Sequence, residues 1–254
     1  MNVQRGYTKY RFNGFSGYLV APPGSAHSFL SIRHTADVQP WADPDIHIHS
    51  DSEEYYLLLR GTLRFYVDDQ IYSLNPREIL GVQKGVPHAV VDGKGPIEHF
   101  SFRAPSREDR KSILADPVKY GEIVEESRRE ITMSWGFRAS MNDLNNCNCW
   151  LIGKGEAKHY SDDFLFAFLD FPTEEQAIAG IGTRLRMHLH MESWEYYICL
   201  SGSKTLQIDE EKIDVHPGEM VEVHPGTKHN VIGRRSPYLG ATFRVPLLND
   251  KVEY

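Results

Sequence analysis

The sequence predicts a mostly β protein made of two homologous barrels or sandwiches in tandem. Three observations predict it. The chain repeats itself, each repeat divides into short apolar strands closed by turn residues, and each repeat carries three histidines and a glutamate at matching places.

The repeat comes first because it decides the fold. A shift of 141 residues lays His47 on His188, His49 on His190, Glu54 on Glu195, Gly61 on Gly202 and His88 on His229. No gap is needed from His47–Pro105 to His188–Pro246, and Tyr55-Tyr56, Phe102-Arg103 and Pro105 find Tyr196-Tyr197, Phe243-Arg244 and Pro246. Chance matches a few apolar residues, but not this set in one frame.

Within each copy the runs Tyr55–Leu59 and Tyr196–Leu200 are aromatic and aliphatic, and Gly61 and Gly202 close them. Leu63–Val67 and Thr205–Ile208 follow, with acidic turns at Asp68-Asp69 and Asp209-Glu210-Glu211. Between the copies, Ser106 with Asp109 and then Asp116-Pro117 read as helix starts. Alternation returns at Ile131, Met133, Trp135 and Phe137, as in a strand opening the second half. The expected organisation is therefore a first barrel over 1–105, a helical linker over 106–130 and a second barrel over 131–254.

Length allows each half its own core. The net charge of −7 argues against a nucleic-acid partner. No run reaches the roughly 18 apolar residues of a membrane helix, and Met1–Arg11 has no apolar signal core, so a cytoplasmic location is expected. Three cysteines, Cys147, Cys149 and Cys199, make a disulfide framework unexpected. Cys147-Asn148-Cys149 is read as two reduced thiols, because a zinc site needs more cysteines or histidines nearby, and Cys199 as a small buried filler.

The repeated set has metal-ligand spacing. On a strand, side chains alternate faces, so His47 and His49 point the same way and can reach one ion. Glu54 can return on a neighbouring strand, and His88 must come from a more distant one folded alongside. Neutral imidazoles with a carboxylate suit iron(II), manganese, nickel, cobalt or zinc. Any one of these residues alone is more often a surface or turn residue. The whole set, twice in one register, reads as two metal sites.

These residues resemble the cupin superfamily. Its first motif is Gly-x5-His-x-His-x3,4-Glu-x6-Gly, and the chain has His47, His49, Glu54 and Gly61, then Gly182, His188, His190, Glu195 and Gly202. Its second is Gly-x5-Pro-x-Gly-x2-His-x3-Asn. Here Gln83 and His224 replace the proline, Arg77 the leading glycine of copy one, and Asp92 and Gly233 the asparagine. Trp41 replaces the leading glycine of the first motif in copy one. The resemblance implies two tandem jelly-roll barrels of the double-stranded β-helix kind. It implies one divalent transition metal on His47, His49, Glu54 and His88 and another on His188, His190, Glu195 and His229, with Fe2+ or Mn2+ favoured and Ni2+, Co2+ or Zn2+ as alternatives. His224 is read as a turn residue.

Strand phase names possible neighbours of the metals. Arg186 and Arg184 share the face of His188 and would pair with a substrate carboxylate or phosphate, or else lie at the barrel mouth against a surface acid. Asp45 and Asp43 hold that phase in copy one. Tyr56 and Tyr197 share the face of Glu54 and Glu195; each can donate its hydroxyl to the site or pack in the core. Glu54 and Glu195 are candidate catalytic bases as well as ligands. Arg103 and Arg244 read as structural pairings at strand ends.

For activity, the family resemblance spans dioxygenases, oxalate-type decarboxylases, isomerases, lyases, storage proteins and ligand binders. The expected function is a metal-dependent enzyme acting on a small oxygen-bearing metabolite, first as a dioxygenase-type oxidoreductase. The alternatives are a metal-dependent isomerase or epimerase of a sugar, sugar phosphate or keto acid, and a non-catalytic binder. A small molecule is the expected partner, with no nucleic acid and no membrane, in a monomer or homodimer.

Overall fold

The computed structural model describes residues 6–11, 29–35, 45–104, 109–112, 122–124, 131–133, 136–140, 150–153, 159–160, 164–179 and 186–254. β1 (Tyr7–Arg11) precedes the first unit, Gly14–Leu144. That unit holds β2 (Phe29–Thr35), β3 (His47–His49), β4 (Glu53–Val67), β5 (Gln70–Leu74), β6 (Glu78–Val82), β7 (His88–Ala104), β8 (Arg110–Ser112), β9 (Glu122–Val124), β10 (Ile131–Met133) and β11 (Gly136–Ser140). The second unit, Met1–Asn13 with Asn145–Tyr254, adds β12 (Trp150–Gly153), β13 (His159–Tyr160), β14 (Leu165–Phe171), α1 (Glu174–Ala179), β15 (His188–His190), β16 (Trp194–Ile208), β17 (Glu211–Val215), β18 (Glu219–Val223), β19 (His229–Val245) and β20 (Lys251–Glu253). Each unit is organised by one ten-stranded sheet, as expected for tandem jelly-roll barrels.

A long antiparallel pair forms the spine of each unit. In the first, β4 runs beside β7 from Glu53↔Ala104 to Val67↔His88. In the second, β16 runs beside β19 from Trp194↔Val245 to Ile208↔His229. Both spines shift register near a glycine at positive φ, Gly61 (φ 81°) and Gly202 (φ 69°). A side chain at Gly61 would meet the Pro96 carbonyl oxygen at 2.7 Å, and one at Gly202 would meet that of Arg235. The motif glycine is therefore set by a left-handed backbone and a close approach together. The acidic turn Asp68-Asp69 closes β4 onto β5 with both residues at positive φ, as a two-residue hairpin of that hand requires.

Alternation along these strands sends one face inward. Leu63, Phe65 and Val67 join Tyr56, Leu58 and Leu80 in the first core. Tyr197, Cys199, Leu206 and Val221 join Tyr238 and Phe171 in the second. Cys199 is buried and reduced, as expected of a filler, and burial pushes its thiol up to about 11. Cys147, Cys149 and Trp135 lie outside the described residues.

Two expectations of organisation need correction. The strand expected to open the second half, β11, instead pairs with β6 of the first unit, from Gly136↔Val82 to Ser140↔Glu78. At the equivalent strand of the second unit, β1 pairs with β18, from Tyr7↔Val223 to Arg11↔Glu219. Residues 7–11 thus serve the second sheet, and 131–133 and 136–140 the first. Alternation identifies a strand, but it does not say which open sheet edge the strand will cover. Nor are the described parts of 106–130 helical. Residues 110–112 form β8 against β3, and 122–124 form β9, parallel to β5; the rest of that segment lies outside the described residues. Asp109, read as part of a helix start, is recruited by β3 instead.

Candidate metal centres

Register builds each site. His47 lies directly opposite His88, and His188 opposite His229, so the first and third histidines of each copy become cross-strand neighbours. Glu54 and Glu195 enter from the spine, opposite Arg103 and Arg244. The outcome is two buried clusters, His47–His49–Glu54–His88 and His188–His190–Glu195–His229, in each of which one ligand atom per residue lies within 4.8 Å of the others. Among the described residues these are the two such clusters.

Hydrogen bonds fix which ring nitrogen each histidine offers. His47 Nδ1 donates to the Asp45 carbonyl at 2.8 Å and His88 Nδ1 to that of Val86 at 2.9 Å. His49 Nδ1 lies 3.2 Å from Asp109 Oδ1. The second site repeats this, with His188 on the Arg186 carbonyl (2.9 Å), His229 on that of Thr227 (2.9 Å) and His190 3.2 Å from Asp250 Oδ1. With the protons on Nδ1, all six Nε2 atoms present lone pairs.

Those lone pairs converge on carboxylate oxygens. Glu54 Oε2 lies 3.6, 3.1 and 3.0 Å from Nε2 of His47, His49 and His88. Glu195 Oε2 lies 3.6, 3.5 and 2.7 Å from those of His188, His190 and His229. Acceptors facing an acceptor repel unless a cation sits among them, so the donor set fits a divalent metal in each unit. Burial opposes ionisation of both glutamates. Donation from the three imidazoles, in the tautomer that carries a proton on Nε2, holds the carboxyls well below the usual range, and a bound cation would take the place of those protons.

The sequence reading assigns neither Asp109 nor Asp250 to the sites, although the 141-residue shift matches them. Asp109 accepts from the Asp51 amide at 2.7 Å while facing His49. Asp250 accepts from the amides of Glu192 (2.9 Å) and Ser193 (2.7 Å) and from the Ser193 hydroxyl (2.8 Å). Each anchors the loop after a ligand strand and orients one imidazole, as outer carboxylates of metal-bound histidines do. Extending the repeat past Pro105 would have found them.

Arg103 and Arg244 also belong to the sites. Arg103 Nη1 is 3.1 Å from His49 Nδ1 and 4.0 Å from Asp109 Oδ1, and Arg244 Nη1 is 3.3 Å from His190 Nδ1. Tyr56 and Tyr197 are buried, and their rings meet His88 and His229 edge-on at 6.4 and 6.0 Å. Burial first, and the charge of Glu54 or Glu195 second, push both phenols well above their ordinary range, so they stay protonated donors.

Other candidates fall away from the centres. Arg186 is exposed, and it is its carbonyl that serves His188. Arg184 and Asp43 lie outside the described residues. Asp45 is exposed and paired with Arg110. His224 lies 3.1 Å from Thr8 Oγ1 and 3.3 Å from Glu222 Oε1 and packs on Trp194, outside the cluster, as read from the motif.

The Cupin domain model matches residues 34–101 and 178–236, together half of the chain. The chain belongs to the cupin family. Among solved structures, this cupin is similar to Ylba from E. coli, assigned to DUF861, with TM-score 0.58 and 13% identity over 99% of this chain and 95% of that one. It is similar to the oxalate decarboxylase of Lactobacillus farciminis in its formate complex, at TM-score 0.58 and 13% identity over 96% and 88% of the two chains. A salicylate 1,2-dioxygenase from Pseudaminobacter salicylatoxidans matches at TM-score 0.58 and 8% identity over 91% and 76%. At such identities the likeness is one of fold. A curated relative, the uncharacterized protein MJ1618 of Methanocaldococcus jannaschii, is 32% identical over 56 residues, which are 22% of this cupin and 45% of that protein. The match therefore spans under half of the relative's length. Among the described residues no helix is long and apolar enough to cross a membrane.

Proposed function

We propose that this cupin is a metal-dependent enzyme acting on a small oxygen-bearing metabolite, as an oxidoreductase of the dioxygenase type with iron or manganese. The observation that carries the reading is the convergence of three oriented Nε2 lone pairs on one ionised glutamate, made twice. The same architecture in an oxalate decarboxylase and a salicylate 1,2-dioxygenase supports it. When bound, the metal would supply Lewis acidity and, as iron, one-electron chemistry towards dioxygen.

The chain's own residues supply position and protons. The backbone carbonyls and the two aspartates hold the imidazoles in one tautomer. The glutamates, kept ionised, balance the cation's charge. Tyr56 and Tyr197, kept protonated against those glutamates, are donors for an oxygen-bearing group at the site. The same tyrosine–glutamate pairing favours a second reading, an isomerase in which the pair moves a proton and no oxygen is consumed.

Metal analysis by mass spectrometry on protein purified without chelator, followed by an oxygen-uptake screen with small acids and phenols, tests this. The expected result is about two equivalents of iron or manganese per chain, one per cluster, and substrate-dependent oxygen uptake. Turnover that persists without oxygen would replace the first reading by the second. Absence of metal after reconstitution would overturn both.

A further inference from the structure

The second unit buries two cations that its metal centre does not use. Lys204 on β16 and Arg234 on β19 stand directly opposite each other in the antiparallel register. They are 1% and 8% exposed. Directly opposed like charges on a sheet are destabilising, and a buried cation without a counter-charge costs several kcal/mol. Yet among the described residues Lys204 Nζ and Arg234 Nε and Nη1 have no hydrogen-bond partner.

Aromatic rings surround the pair. Lys204 Nζ lies 4.7 Å from the Tyr197 ring centre and 5.3 Å from that of Tyr238. Arg234 Cζ lies 5.1 Å from the Phe171 ring and 5.8 Å from that of Tyr238. Ring faces offset part of the burial cost, about 0.5–2 kcal/mol each, but they do not replace an oxygen acceptor for three N–H groups. Burial first, and Arg234 second, push the Lys204 ammonium well below its ordinary range, which is the penalty an anion would relieve. Tyr197 joins this pair to the metal centre, since its ring also meets His229 at 6.0 Å.

The first unit lacks the feature. The positions 141 residues earlier are Leu63 and Gly93, again directly opposed. Ile97 stands where Tyr238 does, and both Leu63 and Ile97 are buried in the apolar core.

We propose that the second barrel binds a small carboxylate between Lys204 and Arg234, beside its metal centre, and that the first barrel does not. The unpartnered Nε–H and Nη1–H leave by different edges of the guanidinium, so one oxygen of a carboxylate would accept from Arg234 while the other meets Lys204. That the carboxylate is the substrate rests on the enzymatic reading above; that it binds does not.

The test is thermal unfolding of metal-loaded and chelator-treated full chain in acetate, oxalate or inorganic phosphate, against chloride of equal ionic strength. Acetate or oxalate should raise the wild-type midpoint in both forms, and more than phosphate does. Lys204→Met and Arg234→Leu should each weaken that carboxylate effect at least tenfold in apparent affinity, and Lys204→Gln, which loses only the charge, should do the same. Arg235→Gln, on an exposed neighbour, should leave it unchanged. A carboxylate effect that survives in the Lys204 and Arg234 variants, that is absent from wild type, or that phosphate matches would overturn the assignment. Metal counted in the same samples separates the two failures. Metal present without the carboxylate effect sinks only this inference, whereas a carboxylate effect without metal sinks only the enzymatic reading.

Discussion

The two units agree at their candidate metal centres and part company further along the same strands. Nitrogen–oxygen separations within the clusters run from 3.0 to 3.6 Å in the first and from 2.7 to 3.6 Å in the second, with matching carbonyl and aspartate partners behind the rings. On the spine, Leu63 faces Gly93 in the first unit, while Lys204 faces Arg234 in the second. A metal constrains its donors in every copy that keeps it. The rest of the spine is constrained only by what packs against it, hydrocarbon in one unit and buried charge in the other. The comparison therefore separates two copies of one metal-holding device from one candidate ligand chamber.

The sharpest way to break the comparison is to remove one glutamate at a time. Glu54→Ala and Glu195→Ala should each lose one metal equivalent, but only Glu195→Ala should abolish turnover, by about a thousandfold or more, the worth of several kcal/mol of metal assistance. Equal losses of turnover in both variants would make the units equivalent in function. Next in size, Leu63→Lys places the second unit's charge in the first unit's core. Urea unfolding should show a loss of about 3–5 kcal/mol, because the ammonium would be buried without a counter-charge; a loss below about 1 kcal/mol would show that the first core admits anions or water too. Asp109→Asn and Asp250→Asn should each weaken metal binding at its own centre by about 10–100-fold, read in competition with a chelator. The smallest effect concerns a pair the second unit lacks. Arg64 grips Asp92 with two donors, one of them Nε to Oδ1 at 2.7 Å, where the second unit has Thr205 and Gly233. That contact lowers the Asp92 pKa, so its stabilisation is present above the unfolded carboxylate's pKa, about 3.9, and is lost as pH falls through the folded value. Asp92→Asn should cost less than about 1 kcal/mol near neutral pH, because the pair is partly exposed. The gap from wild type should close in acid.

How much was legible in advance follows from which residues carry a local signal. His47 and His49 announce a shared face because strand geometry is local, and the shift of 141 residues announces their copies without any structure. The turn at Asp68-Asp69 is legible for the same reason. Arg103, Asp109 and Asp250 were not assigned to the sites, because a lone arginine or aspartate near a strand end has many ordinary uses and only its distance to a ring distinguishes this one. Arg186 had the right strand phase and still points to solvent, since alternation holds only while the strand does and β15 begins at His188.

The sequence by itself determined the duplication, the β character, the eight side chains of the two histidine–glutamate clusters and the cupin resemblance, because each rests on spacing along the chain. Tertiary structure alone decided that 7–11 completes the second sheet, that 136–140 completes the first, and that Lys204 meets Arg234 across one register. Those facts depend on which edges are open and which strands become neighbours, and pairing energies between distant segments leave no periodic mark in the sequence.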